Sequence, residues 1–348
     1  MKLSIFLSSL TVSCSLLSAF AGSAVAAEHN VGFKRIQLDD PMGGSMQVSL
    51  WYPTDEKVGP LNLGPFSFEA KRNAKPKPGK RSLVVMSHGT GGSDLGHRNV
   101  ALEMAKRGLV VAAPLHPRNN FRDDSDLGTG IVLEGRPRQI SAIITALIND
   151  KSHGFDVNQR HVGGFGFSLG GYTMLALMGA KPAPRQIAIN CQAYENDPAC
   201  LLIKQLRSKG VSFSKMDSSE LADSRLCAAV IADPFTGPFS DDALRSVKTR
   251  FVQIWKPAFE NVLLAKAHID RVIANLNDRG TMEETEVISV PLAQHYSFLA
   301  PFPKSISYGL PPELINDHDD FDRTKFQERF AKEVANFLAT SLNKCSSD

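Results

Sequence analysis

"GGFGFSLGGY" (residues 163–172) is the stretch of this 348-residue sequence that decides the fold. It places Ser168 between Gly166 and Gly170, after an apolar run and before a segment of helix-forming residues. A sharp strand-to-helix turn leaves no room for side chains two positions before and after its central residue, so this spacing is typical of a serine exposed on such a turn. A tightly packed glycine turn without chemistry can carry the same pattern, so the interpretation depends on the rest of the chain.

Apolar strands alternate with helical segments on both sides of this turn. Continuous apolar runs predict strands at residues 82–89, 108–117, 161–167, 226–234, 250–255 and 286–291. Helix-like patterns predict helices at residues 99–107, 138–148, 173–180, 261–277 and 323–342. Ahead of them, residues 31–38 and 45–53 alternate apolar and polar side chains around a turn and predict an antiparallel hairpin. The predicted fold class is α/β, with a mostly parallel central sheet, helices on both faces and an N-terminal β-hairpin.

Two segments stand outside this alternation. Residues 1–27 have a basic start, an apolar stretch and small residues before a cleavage site at Ala26 or Ala27, which is typical of a secretory signal. Its removal leaves residues 28–348 as one domain of a secreted or periplasmic protein. Residues 181–225 mix prolines, cysteines and charges of both signs, and predict an inserted cap over the sheet. No other stretch is apolar enough to predict a membrane span.

The cysteine count bears on disulfides, and the net charge bears on the kind of partner. Without the signal, the four cysteines are Cys191, Cys200, Cys227 and Cys345, and an even number in an oxidising compartment favours two disulfides over free thiols. Three pairings remain open, one of which joins Cys191 to Cys200 and Cys227 to Cys345. The formal charge of +3 is too small to indicate a nucleic-acid partner.

The sequence predicts neither a cofactor nor a metal. No Cys-x-x-Cys pair or His/Cys cluster has zinc-site spacing. The acidic loop at residues 317–322 lacks the glycine and the ligand spacing of a calcium loop, so we interpret it as the N-cap of the last helix.

A second glycine loop lies upstream of Ser168. The segment SHGTGGS (residues 87–93) follows a predicted strand, and a glycine such as Gly89 lets backbone N–H groups approach a ligand closely. Acyl transfer develops negative charge on a former carbonyl oxygen, which requires fixed hydrogen-bond donors. The candidate donors are the backbone N–H groups of Thr90 and Leu169.

A nucleophilic serine also needs a base, and three histidines follow Ser168. His268 lies on a predicted helix and His318 lies in the acidic loop, whereas His295 lies in an apolar loop after the last predicted strand. In a strand–serine–helix arrangement of this kind the histidine comes last in chain order, so His295 is the candidate base.

Two carboxylates could orient that histidine. Asp233 comes directly off the end of a predicted strand, and Glu260 follows the next strand. We favour Asp233, because its short side chain comes straight off the strand end, and keep Glu260 as the alternative acid.

Four motifs together resemble a known family. They are MSHGTGGS (86–93), GFGFSLGGY (164–172), ADPFTGP (232–238) and AQHYSFLAP (293–301). Their order is similar to that in secreted α/β-hydrolases grouped with platelet-activating-factor acetylhydrolases and the predicted dienelactone hydrolases of bacteria, over residues 30–342. The resemblance implies the α/β-hydrolase fold for residues 28–348, a triad of Ser168, Asp233 and His295, and oxyanion donors at Thr90 and Leu169.

Two departures from this family refine the expectation. Dienelactone hydrolases carry a cysteine at the central position of the turn, so Ser168 argues against that activity. Many relatives have an aspartate-rich loop where this chain has KPAFEN (256–261), which favours Asp233 over Glu260.

The sequence therefore predicts a secreted serine hydrolase that cleaves carboxylic esters through an acyl-enzyme, without cofactor or metal. Apolar residues beside the predicted site, Phe167, Tyr296 and Phe298, favour an acyl or aromatic ester. The expected partner is a small-molecule or lipid ester, such as a phospholipid acyl group or a short-chain ester. Two alternatives remain: a polyester or plasticiser esterase, and a non-catalytic binding protein with an α/β-hydrolase-like fold.

Overall fold

One ten-stranded sheet organises the computed structural model, which describes residues 28–193, 195, 197–211, 216–258, 266–280 and 285–345. Its strands are β1 (Asn30–Asp39), β2 (Ser45–Thr54), β3 (Gly59–Leu63), β4 (Phe66–Arg72), β5 (Lys80–Ser87), β6 (Val110–Leu115), β7 (Asp156–Phe167), β8 (Leu226–Ala232), β9 (Phe251–Pro257) and β10 (Glu286–Val290). Their order across the sheet is β10-β9-β8-β7-β5-β6-β2-β1-β4-β3. The strands from β5 to β10 pair in parallel, which confirms the predicted mostly parallel sheet.

Helices cover both faces of this sheet. They are α1 (Arg98–Lys106), α2 (Gly130–Asn149), α3 (Leu169–Leu177), α4 (Pro184–Ala193), α5 (Pro198–Ser208), α6 (Asp241–Arg245), α7 (Lys266–Asn277), α8 (Lys304–Ser307), α9 (Pro312–Ile315) and α10 (Arg323–Lys344). Buried residues of α1 and α10 pack in one apolar cluster, and those of α2, α3 and α7 pack in another. The two clusters lie on opposite faces because successive side chains of each strand point to opposite sides of the sheet.

The predicted N-terminal hairpin is confirmed. β1 pairs antiparallel with β2 from Asn30 opposite Thr54 to Asp39 opposite Ser45. Gly43 and Gly44 form its turn with φ values of 101° and 86°, which L-residues with side chains rarely adopt. Beyond the hairpin, β3 and β4 extend the sheet by two strands that the sequence patterns did not predict.

Helix α2 begins eight residues earlier than the pattern at residues 138–148 predicted. Pro137 lies inside it, and proline cannot donate the hydrogen bond that would reach the carbonyl four residues back. That carbonyl belongs to Leu133 and accepts a hydrogen bond of 2.9 Å from the buried Tyr172 hydroxyl of α3. A side chain from the neighbouring helix therefore satisfies the oxygen that Pro137 leaves open.

The four cysteines of the described residues form two disulfides. Cys191 of α4 joins Cys200 of α5 with a Cα–Cα distance of 5.3 Å. Cys227 of β8 joins Cys345 at the end of α10 with a Cα–Cα distance of 6.3 Å. Of the three open pairings, the structure selects the one that closes a short loop and ties the C-terminus to the sheet.

Among the described residues, no helix has the length and apolar character to cross a bilayer. The same part of the chain contains no group of three or more His, Cys, Asp or Glu side chains placed to hold a metal ion. The predicted signal at residues 1–27 lies outside the described residues.

Candidate active site

Ser168 occupies the turn between β7 and α3, and its backbone is strained. Its φ of 54° and ψ of −117° lie outside the regions that side-chain-bearing residues normally adopt. A Cβ atom at Gly166 would overlap the carbonyl of Gly170, and one at Gly170 would overlap the carbonyl of Ser87. Only glycine fits at these two positions, and the turn holds Ser168 at the start of α3, where the helix dipole favours negative charge.

Asp233 and His295 form a buried pair at the same edge of the sheet. Asp233 follows β8, is fully buried, and adopts a positive φ of 40° while its N–H donates to the Trp255 carbonyl at 2.8 Å. His295 follows β10 and is 3% exposed. Its Nδ1 lies 2.5 Å from Oδ2 of Asp233. Because parallel strands end at one edge, residues far apart in sequence meet there.

The loop that carries His295 is anchored to the last helix. A 3-10 turn begins at His295, and the Ser297 hydroxyl in that turn donates to Asp317 at 2.6 Å. Asp317 is in turn paired with Arg323 at 2.6 Å. The acidic loop thus supports the histidine, and Asp322 of that loop accepts a hydrogen bond from Lys325 N–H as an N-cap of α10.

The glycine loop after β5 lies against this turn. A Cβ atom at Gly89 would come within 3.2 Å of the Cβ atom of Ser168, so the loop backbone approaches the serine closely. Thr90 is exposed and lies on the wall of the cavity that contains Ser168. Among the described residues, neither the Thr90 N–H nor the Leu169 N–H donates a hydrogen bond.

Arg136 of α2 supports the glycine loop from behind, and the sequence patterns did not single it out. It is 1% exposed and donates to the carbonyl oxygens of His88 and Gly89, the latter at 3.1 Å. Its Nε also donates to Asn119 Oδ1 at 2.8 Å. The Gly89 carbonyl and the Thr90 N–H belong to the same trans peptide group, so a carbonyl held toward Arg136 directs the Thr90 N–H to the opposite side.

Burial of this cation changes the ionisation of its neighbours. Desolvation lowers the pKa of Arg136 to about 9. Burial and, next, the Arg136 charge hold the pKa values of His88 and His116 well below the usual range, so both imidazoles are neutral. His88 Nδ1 lies 2.7 Å from the Gly89 carbonyl, and His116 N–H donates to His88 Nε2 at 3.2 Å. The loop is therefore braced by neutral histidines and one buried cation.

A cavity of 240 Å³ lies at these residues. Ser168, Leu169, His295, Gly89 and Thr90 are part of its lining. An apolar part of the lining comes from α5 of the 181–225 segment and from the start of α2: Pro198, Ala199, Leu202, Ile203, Leu206, Val132 and Leu133. The segment between β7 and β8 thus supplies a wall of the cavity.

The other residues named from the sequence differ in where the structure places them. Glu260 and the side chain of His268 fall outside the described residues. His318 lies in the acidic loop, where its Nδ1 accepts a hydrogen bond from Asp320 N–H. Phe167 and Tyr296 line the cavity, but Phe298 was wrongly assigned to the site: it is fully buried against aromatic residues of α10.

Known structures identify the fold. Neither a family model nor a curated protein sequence matches this chain. Ferulic acid esterase from Streptomyces cinnamoneus superposes with a TM-score of 0.59 at 17% identity, covering 93% of each chain. A dienelactone hydrolase-like promiscuous phosphotriesterase from metagenomic libraries gives a TM-score of 0.52 at 15% identity, covering 90% of this chain and 99% of that one.

The chain has the α/β-hydrolase fold. A puromycin-hydrolysing peptidase from Mycobacterium tuberculosis gives a TM-score of 0.53 at 12% identity, and the likeness covers 89% of this chain but only 39% of that larger one. In the α/β-hydrolase fold a nucleophile lies on a strand-to-helix turn and precedes its acid and histidine in the sequence. Ser168, Asp233 and His295 follow that order here.

Proposed function

We propose that this protein is an exported serine hydrolase that cleaves carboxylic esters through an acyl-enzyme intermediate. The observation that carries the proposal is the buried contact between His295 Nδ1 and Asp233 Oδ2, with His295 and Ser168 lining one cavity. A carboxylate at Nδ1 keeps the proton on that nitrogen and leaves Nε2 to accept a proton from a hydroxyl. The likeness to a ferulic acid esterase supports this class of reaction.

In the proposed reaction, Ser168 Oγ attacks the ester carbonyl carbon while His295 Nε2 takes the hydroxyl proton. The carbonyl oxygen becomes an oxyanion that accepts hydrogen bonds from Thr90 N–H and Leu169 N–H. The intermediate collapses, the carbon–oxygen bond to the alcohol breaks, and imidazolium at His295 returns the proton to the departing alcohol. Asp233 stabilises the imidazolium without taking its proton.

Water then completes the cycle. His295 Nε2 takes a proton from a water molecule that attacks the acyl carbon bound to Ser168 Oγ. Collapse of the second tetrahedral intermediate breaks the bond to Ser168, which recovers its proton from His295 and releases the carboxylic acid. These steps consume one ester and one water and need no further reactant.

We also propose that the protein is exported and that its substrate carries a compact acyl or aromatic group. The signal-like N-terminus predicts export, and two disulfides are what an oxidising compartment stabilises. The mostly apolar cavity of 240 Å³ suits a short or medium acyl group or an aromatic one better than a fully extended lipid chain.

Fluorophosphonate labelling tests the proposal most directly. The reagent modifies a serine only when a base activates it, so the parent protein should be labelled and Ser168→Ala should not. Hydrolysis of nitrophenyl esters of increasing chain length then defines the acyl preference. Equal labelling of parent and Ser168→Ala, or no turnover of any ester, would favour the non-catalytic binding protein instead.

A further inference from the structure

A second cavity, of 590 Å³, adjoins the Ser168 cavity. The two share Gly89, Thr90, Phe167 and Tyr296 on their walls. An ester has two arms that diverge from its carbonyl carbon. If that carbon lies at Ser168, as the proposed function requires, one arm extends into the first cavity and the other passes Thr90 into the second.

Apolar side chains line most of the second cavity. They come from the β3–β4 extension of the sheet and from the segment between His295 and α9: Leu63, Phe66, Leu299, Phe302, Ile306 and Leu310. A hydrocarbon or aromatic chain therefore fits along its length.

The charged groups of this cavity are mostly positive. Arg35, Arg98 and Arg122 line it, against a single lining carboxylate at Asp94. Asp94 Oδ2 is already compensated, because it accepts hydrogen bonds from Arg35 at 3.0 Å and from the Ser49 hydroxyl at 2.6 Å. Arg98 and Arg122 have no carboxylate partner among the described residues.

Arg98 is a buried cation without a counter-charge. Its side chain is 7% exposed overall, and its guanidinium carbon lies 4.5 Å from the Phe66 ring centroid. It donates to the Pro301 carbonyl, but its Nη1 has no hydrogen-bond partner in the described part of the chain. Burial lowers its pKa to about 10. An anion in the cavity would compensate this charge, whereas apolar contents alone would not.

Arg122 lies at the exposed rim. Its guanidinium carbon is 5.2 Å from the ring centroid of Phe121, a side chain that is 59% exposed. A guanidinium held beside an exposed ring presents planar donors that match a carboxylate or phosphate.

We propose that the second cavity binds an anionic group, carboxylate or phosphate, carried by one arm of the ester substrate. The apolar wall holds the chain of that arm, and Arg98 and Arg122 hold the charge. The substrate class of this hydrolase is thus an amphiphilic ester with a terminal anion.

Matched ester pairs test this assignment. For the acyl arm, nitrophenyl hexanoate is compared with nitrophenyl esters whose hexanoyl chain ends in a carboxylate or a phosphate. For the alcohol arm, pentyl hexanoate is compared with esters whose pentyl chain ends in the same two anions. We expect an anionic member of one set to have about tenfold higher kcat/KM than its neutral partner. The preferred anion shows whether the cavity binds a carboxylate or a phosphate, and the preferred set shows whether the acyl arm or the alcohol arm carries it.

Variants assign the preference to the arginines. In Arg122→Gln and in Arg98→Gln the anionic-to-neutral ratio of kcat/KM should fall about tenfold. Arg160→Gln, an exposed arginine at the far end of β7, is the control and should keep the ratio. If Arg98→Gln does not fold, Arg122→Gln decides alone.

Two failures are distinguishable. Turnover of neutral esters without an anionic advantage in either set would overturn the anion site alone, as would an advantage that both variants retain. Absence of turnover for every ester, with no labelling of Ser168, would overturn the proposed function itself.

Discussion

Nδ1 of His295 lies 2.5 Å from Oδ2 of Asp233, although 62 residues separate them in the chain. Sheet order explains the contact: β8 and β10 flank β9, and all three end at the same edge. Both side chains are buried, so the carboxylate and the imidazole lose most of their water and depend on each other for hydrogen bonding.

Asp233→Asn should lower kcat by a factor on the order of 10⁴, with little change in KM. The amide can donate to Nδ1 and so favour the imidazole tautomer whose Nε2 carries the proton and cannot act as a base. Steady-state ester hydrolysis measures the effect, and Glu260→Gln is the matched control. A nearly normal rate for Asp233→Asn with an inactive Glu260→Gln would transfer the acid role to Glu260.

Much of this architecture is readable from sequence because its signals are local. The strand before Ser168 ends in a continuous apolar run, and Gly166 is required by the carbonyl of Gly170, only four residues away. The β1–β2 hairpin is likewise specified by alternation and two glycines. The order of Ser168, Asp233 and His295 could be inferred because each follows an apolar strand.

Features fixed by distant contacts were not predictable. Arg136 reaches carbonyl oxygens 47 and 48 residues away, and a backbone acceptor leaves no trace in the sequence. Pro137 hid the early start of α2, because a proline normally interrupts a helix. Here the helix continues through it, since the Tyr172 hydroxyl of α3 donates to the carbonyl that Pro137 cannot reach. The strands β3 and β4 were missed because they have only five and seven residues, so their alternating pattern repeats too few times to stand out.

Arg136→Met should lower kcat about 100-fold, the magnitude typical of removing one oxyanion donor. Without the guanidinium, the carbonyls of His88 and Gly89 lose the hydrogen bonds from Arg136, and the peptide that carries the Thr90 N–H is held less firmly. Arg136→Lys, which keeps one charged donor, should recover part of the rate. Rates are expressed per active site titrated with a fluorophosphonate, so that partial unfolding does not count. If both variants have normal rates per titrated site, Arg136 has only a structural role.

The two disulfides should contribute unequally to stability. Cys227–Cys345 closes a loop with a sequence separation of 118, whereas Cys191–Cys200 spans only 9. Chain-entropy estimates give about 5 kcal/mol for the first and about 3 kcal/mol for the second. Replacement of each pair by alanine, followed by urea unfolding, measures both values. Loss of Cys191–Cys200 should also raise KM, because α5 lines the Ser168 cavity. The reverse order of stabilities would contradict the entropic explanation.

Stability should fall steeply in mild acid because three histidines are buried as neutral groups. Burial lowers the pKa of His97 to about 3, and the pKa values of His88 and His116 lie well below the usual range. In the unfolded chain each takes up a proton as the pH falls through about 6.5, whereas the folded protein does not. The unfolded state then binds more protons, so the free energy of unfolding falls with decreasing pH, by up to about 4 kcal/mol per pH unit for three groups.

His97→Phe isolates one of these three contributions. The ring of His97 already packs 4.9 Å from that of Phe165 and 5.2 Å from that of Phe167, and its Nε2 lacks a hydrogen-bond partner within the described residues, so a phenyl ring suits the site. The free energy of unfolding is measured by urea titration between pH 4.5 and 7.5, chosen to span roughly two units below the ordinary histidine pKa. In the variant, the slope of the free energy of unfolding against pH should be smaller by about 1.4 kcal/mol per pH unit, which is the contribution of one bound proton. At the neutral end of this range His97 is uncharged in both the folded and the unfolded protein. A difference in the free energy of unfolding between variant and parent there therefore reports a change in packing. An unchanged slope would mean that His97 takes up its proton in the folded protein.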